Sequence, residues 1–252
     1  MKLLENTLLR AGQIRSIEGT PCFDEQVIET FLQAPYDPLT SFEGPPNYSL
    51  QRGGRGKDHP RYGRFVYALA RHYQPDYVVE VGTFAGGTAV GFANALIENG
   101  HGRLLCIDQD SYSHGTFPEV VQRNLQRVGL PSEQLQLCCG DSKTWLPDLA
   151  NDLSEKVGIV LIDGDHTFAG ARTDIQNALP LVKPGGLILV HDVDRGRSMD
   201  EATEAHPHPV YEAFHSVVQE QHLDWCILKF IRKHLGIIRV GRSPSQTKQS
   251  VA

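Results

Sequence analysis

No apolar run in the 252-residue chain approaches the ~20 residues that a membrane-spanning helix needs, which argues against a membrane partner. The N-terminal stretch MKLLENTLLRAG is interrupted by Glu5, Asn6 and Arg10 and lacks a signal-peptide core, so a cytoplasmic protein is expected. Paired cysteine motifs are missing as well. Cys22, Cys106, Cys138, Cys139 and Cys226 form no C-x-x-C, and three of them fall in predicted core strands, which points to buried thiols and away from disulfides or a zinc site. Positive charge is not in excess: 24 Lys and Arg stand against 30 Asp and Glu, and a net charge of −6 supplies no basic face for a phosphate backbone. Nucleic acid is therefore not an expected partner. The local exception, Arg52, Arg55, Lys57, Arg61 and Arg64, reads as a solvated Gly-rich loop, with an anionic substrate group as the alternative. What is present, 40% hydrophobic and 21% charged residues, suits one α/β domain with a substantial core.

The most informative stretch is VVEVGTFAGGTAVGFANAL, from Val78 to Leu96. A β-branched run ends in Glu80, Gly82 turns the chain, and Gly86 and Gly87 open a segment with apolar residues at helical spacing (Ala89, Val90, Ala93, Leu96, Ile97). Glycines at such a turn let backbone N–H groups approach a ligand closely, and a helix start favours its polar or anionic atoms. Glu80 can accept hydrogen bonds from a cationic or hydroxylated ligand. The spacing E-x-G-x-x-x-G-G differs from the dinucleotide fingerprint G-x-G-x-x-G, which favours S-adenosylmethionine over NAD.

Four further runs repeat the pattern. RLLCID ends in Asp108, 28 residues after Glu80, a distance at which doubly wound folds place a carboxylate on a ribose. LQLCCGDS ends in Gly140, Asp141 and Ser142; VGIVLIDGDH ends in Asp163, Asp165 and His166; GGLILVHDV ends in His191 and Asp192. Polar residues at the carboxyl ends of successive strands describe a site and not a core.

Residues 1–34 read as one or two short helices, and the Pro- and Gly-rich stretch 34–63 as a long loop. Helices are predicted over Tyr62–Tyr73, Phe117–Val128, Ala169–Leu181 and Val210–Gln221. Their alternation with strands predicts a doubly wound α/β protein, a parallel sheet with helices on both faces. Asp194–Pro209 reads as a mobile lid or substrate loop, and residues 225–241 as two strands around a tight connection near Arg232–Gly236. The expected organisation is a helical and loop extension over 1–61, one domain over 62–242, and a disordered tail over 243–252.

Together, VVEVGTFAGGTA, LLCID, LCCGDS, LIDGDHTFAGARTDIQNALPLVKPGG and LILVHDV resemble the successive motifs of a class I S-adenosylmethionine-dependent methyltransferase. Within that class the chain resembles the small-molecule O-methyltransferases that include catechol, caffeoyl-coenzyme A, sugar-tailoring and macrolide-tailoring enzymes. The resemblance implies a Rossmann-like sheet of seven strands, mostly parallel, closed by an antiparallel C-terminal hairpin. It implies cofactor contacts from Glu80, Gly82, Thr83, Thr88, Asp108, Gln109, Asp141, Ser142 and Asp163. Glu80 and the Gly82 turn would meet the methionine part, Asp108 the ribose, and Asp141 and Ser142 the adenine. Metal-dependent members hold magnesium at positions that are Asp163, His191 and Asp192 here. Oxygen ligands suit magnesium whereas imidazole suits later transition metals, so His191 leaves open a weak magnesium site, a different metal or none. His166 stands three residues after Asp163, where family members place a catalytic Lys or His, and the resemblance makes His166 and Asp163 the expected catalytic residues.

The expected function is transfer of a methyl group from S-adenosylmethionine to a hydroxyl of a small molecule: a sugar, a phenol or a natural product. A non-catalytic S-adenosylmethionine-binding partner subunit is the alternative, and an NAD(P)-linked oxidoreductase is disfavoured by glycine spacing. Tyr48, Phe65, Trp145, Phe168 and Tyr211 either line an aromatic acceptor pocket or fill the core. Association into a homo-oligomer is left open.

Overall fold

The structure, a computed structural model, describes residues 14–34, 59–110, 117–195, 201–230 and 234–241. The chain runs β1 (Arg15–Gly19), α1 (Gln26–Gln33), α2 (His59–Tyr73), β2 (Tyr77–Val81), α3 (Gly87–Asn99), β3 (Arg103–Asp108), α4 (Phe117–Arg127) and β4 (Leu135–Cys139). It continues through α5 (Ser142–Leu153), β5 (Val157–Ile162), α6 (Phe168–Ala178), β6 (Val182–His191), α7 (Pro209–Glu220), β7 (Asp224–Lys229) and β8 (His234–Arg239). One sheet of eight strands has the order β1-β7-β8-β6-β5-β2-β3-β4. Strands β6, β5, β2, β3 and β4 are parallel, and β8, β7 and β1 add antiparallel pairs.

Alternation along the strands divides the core into two layers. Val78, Leu104, Ile159, Leu161 and Leu187 face the side covered by α1 to α4, while Val79, Leu105, Val160, Ile162 and Ile188 face α5 to α7. Strand β5 is buried throughout, as a central parallel strand covered on both faces must be. Helix α2 packs closely on α3 because Gly91 carries no side chain: a Cβ there would stand 2.6 Å from the Gly63 carbonyl oxygen.

From β2 the chain winds outward through β3 and β4, then returns to the other side of β2 with β5 and β6. The switch point therefore lies between β2 and β5, where open α/β sheets leave a crevice beyond the strand ends. At that point the two strands nearly touch. Asp163 N–H donates to the Val81 carbonyl at 2.9 Å. Gly82 has φ +79°, and a Cβ on it would fall 2.1 Å from the Asp163 carbonyl oxygen, so only glycine fits there.

Two features differ from the sequence expectation. One or two short helices are predicted in residues 1–34, and Gln26–Gln33 is one, yet Arg15–Gly19 is a strand paired antiparallel with β7, which makes the sheet eight-stranded where seven strands are expected. The residues of that strand alternate between exposed and half-buried, because an edge strand with one sheltered face shows no strong apolar run. Gly236, taken as part of the hairpin connection, lies inside β8, where a Cβ would meet the Phe214 ring at 2.5 Å. That glycine makes room for an aromatic ring on the sheet and does not turn the chain.

The Pro- and Gly-rich stretch 35–58, with Tyr48 and the basic residues Arg52, Arg55 and Lys57, lies outside the described residues, as do 196–200 of the expected lid and the tail from 242. The far part of that lid is described and docked. His206 stacks on Phe168 with centroids 3.8 Å apart, and its Nδ1 lies 2.7 Å from Glu212 Oε2.

Candidate active site

The carboxyl end of β2 places Glu80 at the floor of the crevice, 2% exposed, with Oε2 lacking any hydrogen-bond partner. Burial, then the nearby Asp163 charge, push its carboxyl well above the usual range. Thr83 is buried beside it and its hydroxyl donates to the Glu80 carbonyl at 3.4 Å. The next residue, Phe84, sits at φ +52°, a conformation that a bulky side chain adopts only when its surroundings impose it. Asp108 supplies the constraint: its Oδ2 accepts the Phe84 N–H at 2.7 Å and its Oδ1 accepts the Asp110 N–H at 2.6 Å. Asp108 thus shapes the glycine turn, and its carboxylate keeps further lone pairs able to accept hydrogen bonds. Thr88 is half-buried in the first turn of α3 and Gln109 is exposed beyond β3.

Asp141 caps α5, accepting the Lys143 N–H at 2.9 Å. The Ser142 hydroxyl turns inward and donates to Oδ1 of the fully buried Asp174 at 2.7 Å. Burial raises the Asp174 carboxyl to about 6. Its other oxygen has no partner and faces Gly164, where a Cβ would stand 3.6 Å away.

Strands β5 and β6 bring four ionisable groups together. His191 Nδ1 lies 2.9 Å from Asp163 Oδ1 and 3.4 Å from Asp192 Oδ1. His166 Nε2 lies 3.3 Å from the same Asp163 oxygen and 3.8 Å from Asp192 Oδ2. Burial works to raise the Asp163 carboxyl, but the His191 charge and the hydrogen bonds of His166 and His191 prevail and hold it below its ordinary value. For His166, burial opposes protonation, and the hydrogen bond and charge of Asp163, with Asp192 and Glu201, outweigh it and raise the imidazole. Asp192 has φ +56°, which turns the chain at the end of β6 and aims its carboxylate back at the cluster. Asp163, His191 and Asp192 each offer one ligand atom within 4.8 Å of the others, so the three residues fit a divalent ion by distance and by donor chemistry.

Of the sequence-predicted residues, Asp163, His166, His191 and Asp192 meet at the ends of β5 and β6, while Asp108 and Asp141 stand at or just past the ends of β3 and β4 and the aromatics lie elsewhere. Phe65 is buried against Phe23, Phe31 and Phe230, the Trp145 indole donates to the Cys139 carbonyl, and the Tyr211 hydroxyl donates to Glu18 at 3.0 Å. These three fill or brace the fold. His206, on the far part of the expected lid, is occupied by Glu212, whereas His166 and His191 stand at the strand ends. Sequence reasoning missed Tyr62. Helix α2 ends where β2 begins, so its first turn lies at the crevice end of the sheet, and the Tyr62 ring packs edge-on against His191 at 4.9 Å.

Known proteins share part of this sequence and its fold. The family described as "Methyltransferase domain" matches residues 79–193, from β2 to just past β6. The match covers less than half of the chain, and solved methyltransferase structures share its Rossmann-like fold. The sequence is 35% identical over 144 residues to a catechol O-methyltransferase of Niastella koreensis, covering 56% of this chain and 61% of that protein's length, so the chain spans less than two thirds of that relative. It is 28% identical over 172 residues to an O-methyltransferase, named as putative, of Mycobacterium sp. (strain JLS), covering 68% of this chain and 73% of the relative. Among solved structures, the O-methyltransferase TomG of Streptomyces achromogenes, in complex with S-adenosylmethionine, shares the fold with a TM-score of 0.60 at 20% identity, over 72% of this chain and 81% of that one. The O-methyltransferase of Bacillus cereus in complex with S-adenosylhomocysteine gives 0.58 at 18% identity, over 86% and 91%.

Proposed function

We propose that the protein transfers the methyl group of S-adenosylmethionine to a hydroxyl of a small molecule, with a phenol of the catechol kind as the first acceptor to test. The observation that carries this reading is the cluster Asp163, His166, His191 and Asp192, which stands at the switch point beside Glu80 and the Gly82 turn. Glu80, Gly82, Thr83, Thr88, Asp108, Gln109, Asp141, Ser142 and Asp163 are the proposed cofactor contacts.

A hydroxyl is a weak nucleophile at neutral pH and needs a base or a Lewis acid. His166 is the proposed base. It takes the acceptor's proton as the acceptor oxygen bonds to the methyl carbon; the carbon–sulfur bond breaks, its electron pair stays on sulfur, and a methyl ether and S-adenosylhomocysteine leave. Asp163, hydrogen-bonded to both imidazoles, orients His166. Asp163, His191 and Asp192 would hold a divalent cation, which supplies a lowered hydroxyl pKa and a fixed position for the acceptor oxygen.

The catalytic unit in this reading is 62–242, extended by 1–61 and followed by the tail 243–252. A cytoplasmic location is part of this reading; no helix among the described residues is long and apolar enough to cross a membrane. A homo-oligomer is a question for light scattering. Calorimetry with S-adenosylhomocysteine, followed by turnover of catechols, phenols and sugars with labelled S-adenosylmethionine, tests the proposal. Cofactor binding without turnover of any acceptor would favour the non-catalytic subunit, and absence of binding would remove the reading altogether.

A further inference from the structure

Helix α2 reaches the ionisable cluster at the ends of β5 and β6 through one side chain. The Tyr62 ring packs edge-on against the His191 imidazole, with centroids 4.9 Å apart and planes at 65°. Both side chains are buried. Behind Tyr62 stands a chain of further edge contacts: Tyr62 on Phe230 at 5.7 Å, Phe230 on Phe65 at 5.6 Å, and Phe65 on Phe23 and Phe31 at 5.7 and 6.2 Å. These rings come from the N-terminal extension, from α2 and from the residue after β7, so a tilt of Tyr62 would have to displace several close-packed elements at once. Tyr62 Oη has no hydrogen-bond partner among the described residues. Ring packing therefore holds the side chain.

The lone pair of an imidazole nitrogen lies in the plane of the ring, so the tilt of the ring decides what that nitrogen can reach. A hydrogen bond to the second nitrogen commonly fixes the tilt of a metal-binding histidine. At His191 an aromatic wall bears on it. The plane that Tyr62 supports aims Nδ1 at two carboxylates, 2.9 Å from Asp163 Oδ1 and 3.4 Å from Asp192 Oδ1. Of the three donors only this one is nitrogen, and nitrogen favours the later transition ions over magnesium. The ring that holds His191 therefore bears on which ion the site prefers.

We infer that Tyr62 is a positioning residue of the metal centre: its ring holds the His191 imidazole in the plane that presents Nδ1 beside Asp163 and Asp192, and so biases the site toward ions that take a nitrogen ligand. The inference rests on the divalent cation of the reading above; the role of Tyr62 is new. Tyr62 touches neither the ion nor the acceptor and acts only through His191.

The test is calorimetry of the full chain with cobalt(II) and with magnesium, beside S-adenosylhomocysteine as a control. Tyr62→Leu removes the ring and should weaken cobalt about tenfold or more, the low end of the range for groups that orient a metal-bound histidine, while magnesium and S-adenosylhomocysteine bind as in the wild type. Tyr62→Phe keeps the ring and should restore wild-type cobalt affinity. In a His191→Ala background, Tyr62→Leu should cost cobalt nothing further, because the residue through which it acts is gone. Equal losses for cobalt and magnesium, a Phe variant as weak as the Leu variant, or additive losses in the double variant would each overturn the positioning role. One measurement needs no variant: long-range ¹H–¹⁵N spectra of the wild type with zinc should show the ion on His191 Nδ1, and an unshifted Nδ1 overturns the inference even where Tyr62→Leu fails to fold. A wild type that binds no divalent ion but still binds S-adenosylhomocysteine and turns over an acceptor overturns the metal centre and spares the methyltransferase reading.

Discussion

His191 Nδ1 stands 2.9 Å from Asp163 Oδ1 although the two residues are 28 positions apart, one at the end of β6 and the other at the end of β5. The contact exists because β5 and β6 are neighbours in register, Ile162 opposite Val190. An imidazole nitrogen and a carboxylate oxygen at that distance share either a proton or a cation. Both uses suit activation of a hydroxyl.

His166→Asn keeps a polar side chain beside Asp163 and removes the proposed base. Turnover should fall ~10²- to 10⁴-fold, the usual range for losing such a group, while S-adenosylhomocysteine affinity stays unchanged. Turnover near the wild-type level would move the role to His191 or to metal activation.

Metal dependence should follow the donor set. Exhaustive chelation is expected to abolish turnover, and manganese or cobalt should restore it better than magnesium, because one of the three donors is an imidazole. Full activity after chelation, with no metal in the purified protein by mass spectrometry, would leave Asp192 as a hydrogen-bonding group.

Asp108→Ala should act twice. It removes the proposed ribose contact and strips the Phe84 and Asp110 N–H groups of their acceptor, so calorimetry should record a large loss of S-adenosylhomocysteine affinity together with a lower melting temperature. Asp108→Asn keeps an oxygen for one of those N–H groups and should recover part of the stability. Cofactor affinity untouched by the alanine substitution would refute the assignment.

Asp174 sets a pH dependence of stability whose sign is unusual for an aspartate. Its carboxyl rises from 3.8 to about 6 in the fold, so between those values the folded state binds more protons than the unfolded state. The contribution is fully present below pH ~4 and lost as pH rises through ~6, amounting to roughly 2–3 kcal/mol. Urea unfolding of Asp174→Asn should show a gain over wild type that grows from pH 5 to pH 8. A pH-independent difference would mean that Asp174 does not titrate in that range.

The strand ends were legible because each pairs a β-branched or leucine-rich run with an acid, and the parallel sheet then dictates that those ends converge. Glu80, Asp108, Asp163 and Asp192 were found that way. Tyr62 was not legible: it lies on a helix that precedes the motif, and only the antiparallel run of α2 against β2 brings its ring to His191. The inward turn of Ser142 depends on Asp174, 32 residues away, and no local pattern announces it. The strain at Phe84 was hidden for a similar reason, since the carboxylate that holds it belongs to the next strand. Strand β1 escaped because its partner, β7, comes near the other end of the chain.

That pairing of Arg15 with Lys229 has a consequence for synthesis. As the ribosome delivers the chain, every parallel strand from β2 to β6 emerges before β7, so the central sheet can assemble while Arg15–Gly19 waits without a neighbour. An unpaired strand edge held open for that long is a place where a nascent chain can meet a holding chaperone or a second nascent copy of itself. The short, alternately exposed segment RSIEG, with Arg15 and Glu18 in it, is poorly suited to such encounters, and its modest hydrophobicity is what lets it wait.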